Sequence, residues 1–329
     1  MSQIHPKISL GMPVFNGENY IEPAIRSILD QTYSDFELVI SDNASGDRTE
    51  EICRDYAGKD SRIRYYRNDS NVGAARNFNR TVELAKGDFF KWAAHDDTLA
   101  PEYLERCLQV LEQDESLILC FPKTILVDHR GDKVGKYEVS MKNISSARPE
   151  LRFRDLILTS HWGIEIFGLF RKSALDSTAL LASFPGSDRT FMAELSLEGR
   201  FYEIPEYLFY SRDHPERSTR TGTVHTRASW WDTRNAGSKV FPHWKLYYEL
   251  LRIVNNARLM PGERAACYMC LARWLTLSFN AVLMLMDLAI AVEPRSWKFA
   301  YGVKKKLSRK RKKAVMDKKD DLMSRNPQS

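Results

Sequence analysis

Cysteine is scarce and irregular in this chain. Five cysteines among 329 residues, an odd number without regular spacing, build no disulfide framework and suit a reducing compartment. Cys267 and Cys270 form a single C-x-x-C inside an apolar helical pattern, and without a second pair buried thiols explain them better than zinc does. No G-x-G-x-x-G follows the first apolar run, which excludes a dinucleotide-dependent dehydrogenase. No Gly-rich phosphate loop with a basic residue stands there either, which counts against a sugar nucleotidyltransferase. The start, MSQIHPKISL, has no charged stretch ahead of an apolar core and does not read as a secretory signal. No internal repeat is visible. Acid is nearly missing from the last stretch: residues 304–329 hold eleven Lys/Arg against three Asp/Glu, a net +8 in a chain whose total is +6. The rest of the chain is therefore slightly acidic, and the basicity belongs to a tail rather than to the fold. It carries no recognised nucleic-acid-binding module.

What is present is ordinary globular composition, 43% hydrophobic and 28% charged, enough for one large domain or two. Strand and helix signals alternate through the first hundred residues. Residues 7–12 read as a strand closed by Pro13, and VFNGENY as a loop. Asn19 opens a helix with Glu22 as capping-box partner, and Ile21, Ile25, Ile28 and Leu29 share its apolar face. A second strand at 36–41 must lie parallel to the first through a right-handed crossover. A helix at 49–56, a strand at 63–67, a helix at 74–85 and a strand at 89–94 continue the pattern, which defines an α/β domain built on a mostly parallel sheet.

Each of these strands ends in polar residues, and a parallel sheet brings those ends to one edge, where α/β proteins place their chemistry. Asp42 closes one strand, Arg67 another, and the run 89–94 ends abruptly in His95, Asp96 and Asp97. The plainer alternative for the acid pair is a helix N-terminus, with Thr98 as cap and Pro101 in the first turn. Further on, 117–127 reads as a strand, 141–149 as a polar loop, 152–159 as a short helix, 164–170 as a strand, 190–198 as a helix, and 201–204 and 207–210 as two strands.

The segments MPVFNGENYIEPAIRSILDQTYSDFELVISDNASGD, NVGAARNFN, GDFFKWAAHDDTLAP, FGLFRKSAL, GSDRTF and YSRDHPE, in this order, resemble the family 2 glycosyltransferases. The resemblance covers residues 7–220 and implies the Rossmann-like GT-A fold and a nucleoside diphosphate sugar donor, UDP-linked. It implies that Pro13, Val14 and Phe15 line the base and that Asp42 accepts from a base N–H. Glu18 would face the nucleotide, and Arg76 or Arg67 would approach the base or phosphates. Asp96 would lie near the ribose, Asp97 would ligate Mg²⁺ or Mn²⁺, and Arg212 and His214 would contact the diphosphate or the metal. Asp188 in PGSDRTF matches the general base, and a base opposite the leaving group implies single displacement with inversion. Two positions depart from the family pattern: Ala94 stands where a further Asp is often found, and Ser187 replaces a Glu. Plainer roles remain open for several residues: a turn-forming Asx for Asp42, a first-turn acid for Glu18, an N-cap for Asp188 and a structural ring for His214. Trp162 could stack on an acceptor sugar or belong to a core or rim. A module that binds nucleotide sugar or glycan without catalysis is the non-enzyme alternative, against which Asp96, Asp97 and Asp188 together argue.

Past residue 220 the resemblance ends and the pattern is helical, giving a division into a catalytic domain at 1–220 and a helical C-terminal region at 221–329. Residues 271–292 are strongly apolar but contain Arg273, Asn280 and Asp287. They could span a membrane, lie in its surface, or pack on protein, and Asp287 would be costly in lipid. The following KKKLSRKRKK could bind anionic lipid or form a solvated tail. A lipid-linked or glycan acceptor in surface polysaccharide assembly would make membrane contact useful. The expected setting is the cytoplasm, peripheral to the inner membrane, and a homo-oligomer is compatible with the sequence.

Overall fold

The computed structural model describes residues 5–215, 217, 224–235, 241–277 and 280–292. β1 (Ile8–Val14) and β2 (Phe36–Asp42) are buried at every position, as strands covered on both faces must be. Helix α1 (Ile21–Leu29) joins them and buries Ile21, Ala24, Ile25 and Ile28. The two strands pair in parallel from Ile8↔Phe36 to Val14↔Asp42. Helix α2 (Thr49–Lys59) leads to β3 (Ile63–Arg67), and α3 (Ala74–Leu84) leads to β4 (Phe89–Trp92). β3 adds to β2 and β4 to the free side of β1, both in parallel, so the expected crossovers hold for the first four strands.

The second half is mixed. β5 (Thr98–Leu99), α4 (Tyr103–Gln113), β6 (Leu117–Val127), β7 (Lys133–Tyr137) and α5 (Pro149–Leu158) precede a 3₁₀ turn at Ile164–Phe167. β8 (Leu169–Arg171), α6 (Lys172–Asp176), α7 (Ser187–Glu198) and β9 (Arg200–Arg212) follow. The sheet runs β3-β2-β1-β4-β8-β6-β9-β5, with β7 beside β6. β8 is antiparallel to both its neighbours, while the long β6–β9 ladder is parallel. The longest ladders are thus parallel, and helices cover the sheet. Trp92 anchors one face, edge-on to Phe90, Phe170 and Phe191, with its indole N–H on the Phe78 carbonyl.

Four local expectations need correction. Thr98 does not cap a helix; it lies in β5, opposite Tyr210, because pairing with β9 outweighs local capping. Helix α1 starts after Tyr20 without a side-chain cap, and Glu22 instead accepts from Arg26 and Tyr56. Residues 164–170 are a 3₁₀ turn plus a three-residue strand. The two strands expected at 201–210 are one, β9, whose register against β6 shifts around Pro205, a residue that cannot donate to the ladder.

The C-terminal part contains α8 (Val224–Trp231), α9 (Pro242–Asn256), α10 (Pro261–Thr276) and α11 (Asn280–Val292). The apolar run 271–292 is not one helix: α10 and α11 meet at 68°. Among the described residues no single helix is long and apolar enough to cross a membrane. Leu250, Ile253, Val254, Cys267 and Leu271 share a core with Phe153 of α5 and Ala193 and Leu197 of α7. The chain's five cysteines are free, four of them buried. The boundary near 220 and the basic tail at 304–329 lie outside the described residues.

Candidate active site

Register places the carboxyl ends of the parallel strands side by side. Val14 is opposite Asp42, which is opposite Arg67, and Ala93 donates to the Gly11 carbonyl as β4 leaves the sheet. Pro13 and Val14 are buried in β1, and Phe15 just beyond them is exposed. Asp42 is fully buried: Oδ1 accepts from the Ser45 N–H at 2.9 Å, and Oδ2 accepts from Tyr65 Oη at 2.7 Å and Arg67 at 2.6 Å. Asp42 is therefore both an Asx-type turn former and the acid that aims Arg67. The loop after β1 is laced to the loop after β2. Asn16 N–H donates to Ser45 Oγ, Gly17 N–H to Thr49 Oγ1 and Glu18 N–H to Asp47. The Glu18 carboxylate accepts from the Arg48 N–H ahead of α2, so it holds a helix start. Arg76 is exposed in the first turn of α3. Between them, Asn43, Asn68, Asn71 and Asn77 form a largely buried amide network with Ser41, which accounts for two asparagines of NVGAARNFN, while the third, Asn79, pairs with the Leu181 backbone.

The acid pair occupies the next position along this edge. Asp96 Oδ2 lies 2.9 Å from His214 Nε2, joining residues 118 positions apart, and the ring of His214 packs 4.7 Å from that of Tyr20. Burial raises the Asp96 pKa, but the hydrogen bond from His214 and the nearby His95 and Arg217 more than offset this and hold it at about 2. Asp97 is deeper. Its Oδ1 accepts from the Arg212 N–H at 2.8 Å, and burial, with the Asp96 charge beside it, pushes its pKa up to about 7. The Arg212 side chain is committed to carbonyls, with Nε on Asp96 O and a terminal nitrogen on Asp128 O and His129 O. It braces the acid pair against the turn between β6 and β7. His214 Nδ1 is buried without a partner among the described residues.

A third group belongs to the second half. Gly186, at φ 95°, makes the left-handed turn that starts α7 and puts Asp188 in its first turn. Asp188 is half-buried, and burial raises its pKa against the pull of Arg189 and its own helix-end N–H groups. A Cβ on Gly163 would stand 3.6 Å from Asp188 Oδ2, so the loop carrying Trp162 adjoins the carboxylate. Trp162 is 62% exposed, with its ring 5.0 Å from that of Tyr137 and its N–H on the Tyr137 hydroxyl. Beneath it the buried His161 spans Glu165 at 3.2 Å and the Leu156 carbonyl at 3.0 Å, and Tyr137 also reaches Glu165.

The structure thus brings together Asp96, Asp97, Arg212 and His214, and separately Trp162 and Asp188. Glu18 joins the loops after β1 and β2, and Asp42 ties the end of β2 to the end of β3. Sequence inspection missed Tyr20, His161, Glu165 and Arg217. It also missed Lys91, whose fully buried amine donates to the Trp92 and Phe167 carbonyls beside the Tyr103 ring and is lowered by that burial to a pKa of about 7. A lysine inside the apolar run FFKWAA was the available signal. For Tyr20 the partner, His214, lies too far along the chain to be paired by eye, whereas His161 and Glu165, four residues apart, were a readable pair.

A parallel sheet with acids at its carboxyl edge, continued by a mixed second half that presents another carboxylate, is the GT-A arrangement. Residues 9–177 match the glycosyl transferase family 2 profile, and the chain belongs to that family; it is a glycosyltransferase. A "GalNAc(5)-diNAcBac-PP-undecaprenol beta-1,3-glucosyltransferase" of Campylobacter jejuni is 26% identical over 87% of this chain and 94% of that protein. An uncharacterised glycosyltransferase of Rickettsia typhi is 32% identical over 38% of each chain. Among solved structures, S. aureus TarS 1-349 in complex with UDP-GlcNAc superposes with TM-score 0.60 at 18% identity, over 88% of this chain and 82% of that one. The mannosyltransferase PcManGT from Pyrobaculum calidifontis, in complex with GDP-Man and Mn2+, gives 0.53 at 16% identity over 91% and 79%. At these identities the structures speak for the fold.

Proposed function

We propose that the protein transfers a sugar from a UDP-linked donor to a lipid-linked glycan acceptor, with inversion, in surface polysaccharide assembly. The observation that carries this is the pairing of an ionised, hydrogen-bonded acid at the nucleotide edge, Asp96 with His214, with a half-buried carboxylate of raised pKa, Asp188, beside an exposed tryptophan. The C. jejuni relative that spans nearly the whole chain is named for a polyprenol-diphosphate-linked acceptor, which supports the acceptor class, and the UDP-GlcNAc complex of TarS supports the donor class.

In this mechanism Pro13, Val14 and Phe15 line the base, with Asp42 and Arg67 fixing its edge and Arg76 reaching the phosphates. The acceptor hydroxyl gives its proton to Asp188 as its oxygen bonds to the anomeric carbon. The bond from that carbon to the diphosphate breaks, and the nucleoside diphosphate leaves with the electron pair. Trp162 offers a flat face to a pyranose. Among the described residues no three His, Cys, Asp or Glu side chains are grouped to hold a metal ion by themselves; the carboxylates of Asp96 and Asp97 would offer oxygens to a divalent cation that takes the rest of its shell from phosphate and water. Bound there, Mg²⁺ or Mn²⁺ would supply positive charge to the departing diphosphate. Asp96, the more exposed and more acidic of the pair, is better placed to face the ion than Asp97, one of whose oxygens holds Arg212. Residues 1–220 form the catalytic unit and the helices beyond complete it, at the cytoplasmic face of the inner membrane.

The test is nucleotide release from a panel of UDP-, GDP- and dTDP-sugars, with and without Mn²⁺ and with a polyprenol-diphosphate glycan as acceptor. Acceptor-dependent UDP release that needs Mn²⁺ and is lost in Asp188→Asn is the expected outcome. Full activity in Asp188→Asn removes the base, and tight donor binding without turnover for every acceptor leaves a binding module.

A further inference from the structure

We propose that α9 and α11 together form a docking face for an anionic membrane surface, placed so that the start of α7 and Asp188 open toward a lipid-borne acceptor. The acceptor class rests on the function proposed above; the docking face does not. Val282, Leu285 and Leu288 recur every three residues along α11 and are all exposed, Leu285 at 63%. On α9, Trp244 and Tyr248 are exposed one turn apart, Tyr248 at 60%. The Trp244 indole N–H donates to the Met284 carbonyl at 2.8 Å, which ties the two helices together. Aliphatic side chains flanked by Trp and Tyr are the composition of a helix face at a lipid interface.

The charges are sorted to match. α9 and α11 contain one acid each, Glu249 and Asp287, and both are turned inward. Asp287 is buried and accepts from the His243 N–H at 2.8 Å, with His243 Nδ1 at 2.9 Å. Glu249 is buried between Lys245 and Arg252. The acid that made residues 271–292 unsuited to lipid as a sequence is thus withdrawn from the surface in the fold. In the sequence, thirteen Lys/Arg and four Asp/Glu follow α11 in residues 293–329; the apolar face itself carries no acid among its described residues. A basic segment that continues an apolar helix in sequence suits anionic lipid, whereas it would add like charge to a second copy of the chain.

The face is also joined to the catalytic half. Leu246 of α9 lies 3.8 Å from where a Cβ on Gly186 would stand, and Lys245 sits over the Phe184 ring at 5.7 Å. The first turns of α9 therefore abut the loop that leads into α7 and Asp188. A protein held on the membrane by α9 and α11 keeps its base within the reach of a headgroup-linked glycan rather than facing bulk solvent.

The experiment is co-sedimentation of the full chain with phosphatidylcholine vesicles, with and without phosphatidylglycerol, comparing wild type, Leu285→Glu/Leu288→Glu and Tyr248→Glu. Wild type should bind the phosphatidylglycerol vesicles, and the double variant should lose about tenfold or more of that partitioning. Donor turnover on a short, water-soluble acceptor glycan should be unchanged in the double variant, which also shows that it folds. Undiminished vesicle binding in both variants would overturn the face, leaving the basic tail as the anchor. So would equal binding to neutral vesicles, no binding by wild type, or a wild-type dimer that the double variant dissociates. Vesicle binding as expected, with no transfer to any lipid-linked acceptor, would instead overturn the acceptor class and leave the face standing.

Discussion

Asp188 stands in the first turn of α7, where helix N–H groups favour a carboxylate, yet burial holds its pKa above the usual carboxylate range. A general base works only when ionised, so kcat/KM should fall as pH drops through that raised pKa, with an acid limb displaced above the ordinary ~3.9. Asp188→Asn should lower kcat by roughly 10²–10⁴-fold, the span expected for a lost general base. Stability should move the other way. An acid whose folded pKa exceeds its unfolded value costs stability that sets in as pH rises through the unfolded pKa and is complete above the folded one. The Asn variant should therefore melt no lower than wild type at pH 8 and show no advantage near pH 4. Asp97 follows the same sign more strongly, since burial and Asp96 push it to about 7. Asp97→Asn keeps an oxygen for the Arg212 N–H, so its melting temperature in metal-free buffer should gain on wild type as pH rises from 4 to 8. A gap that is constant with pH would show that Asp97 is not the buried acid this geometry makes it.

The elements show where sequence patterns suffice and where they do not. The first four strands and their helices are legible because burial on both faces writes continuous apolar runs and each helix writes a 3.6-residue stripe. Asp42, Asp96 and Asp97 are legible as strand ends for the same reason. β5 is not: two residues cannot show a period, and only pairing with β9, more than a hundred residues away, makes Thr98 a strand residue. The Asp96–His214 hydrogen bond and the reach of Tyr137 to Glu165 are equally invisible, being defined by topology rather than spacing. Gly73 illustrates the limit best. The motif NVGAARNFN reads as a turn into α3, which accounts for its φ of 88°. The structure adds that a Cβ there would meet the Asp232 Cα and the Trp231 carbonyl at 2.7 Å. Gly73→Ala should thus cost about 1–3 kcal/mol through backbone strain alone and lift residues 231–232 off α3. Chemical unfolding would give the first, and faster proteolysis between 224 and 235 the second; a variant neutral in both would disprove the contact.

At the scale of the whole molecule, the described C-terminal helices share a hydrophobic core with α5 and α7. Phe153 of α5 and Ala193 of α7 are fully buried beneath Leu250, Ile253 and Val254 of α9 and Cys267 and Leu271 of α10. α7 carries Asp188 at its start, so the cover over its middle also fixes the direction in which that carboxylate points. Arg152 strengthens the same joint, reaching from α5 to the Ser196 and Leu197 carbonyls at the end of α7. Two outcomes follow from this shared core. Ile253→Ala, far from any acid of the site, should destabilise by about 2–5 kcal/mol, as buried Ile-to-Ala changes do. It should shift a single unfolding transition seen equally by circular dichroism and by loss of donor turnover. A chain ending at residue 223 would expose the apolar sides of α5 and α7 and should be recovered aggregated or binding a hydrophobic dye, even though every residue matched to the family profile is retained. If that shortened chain instead proves monomeric, cooperatively folded and active on a soluble acceptor, the two parts are independent, and the helices beyond residue 223 serve only to bring the enzyme to its substrate.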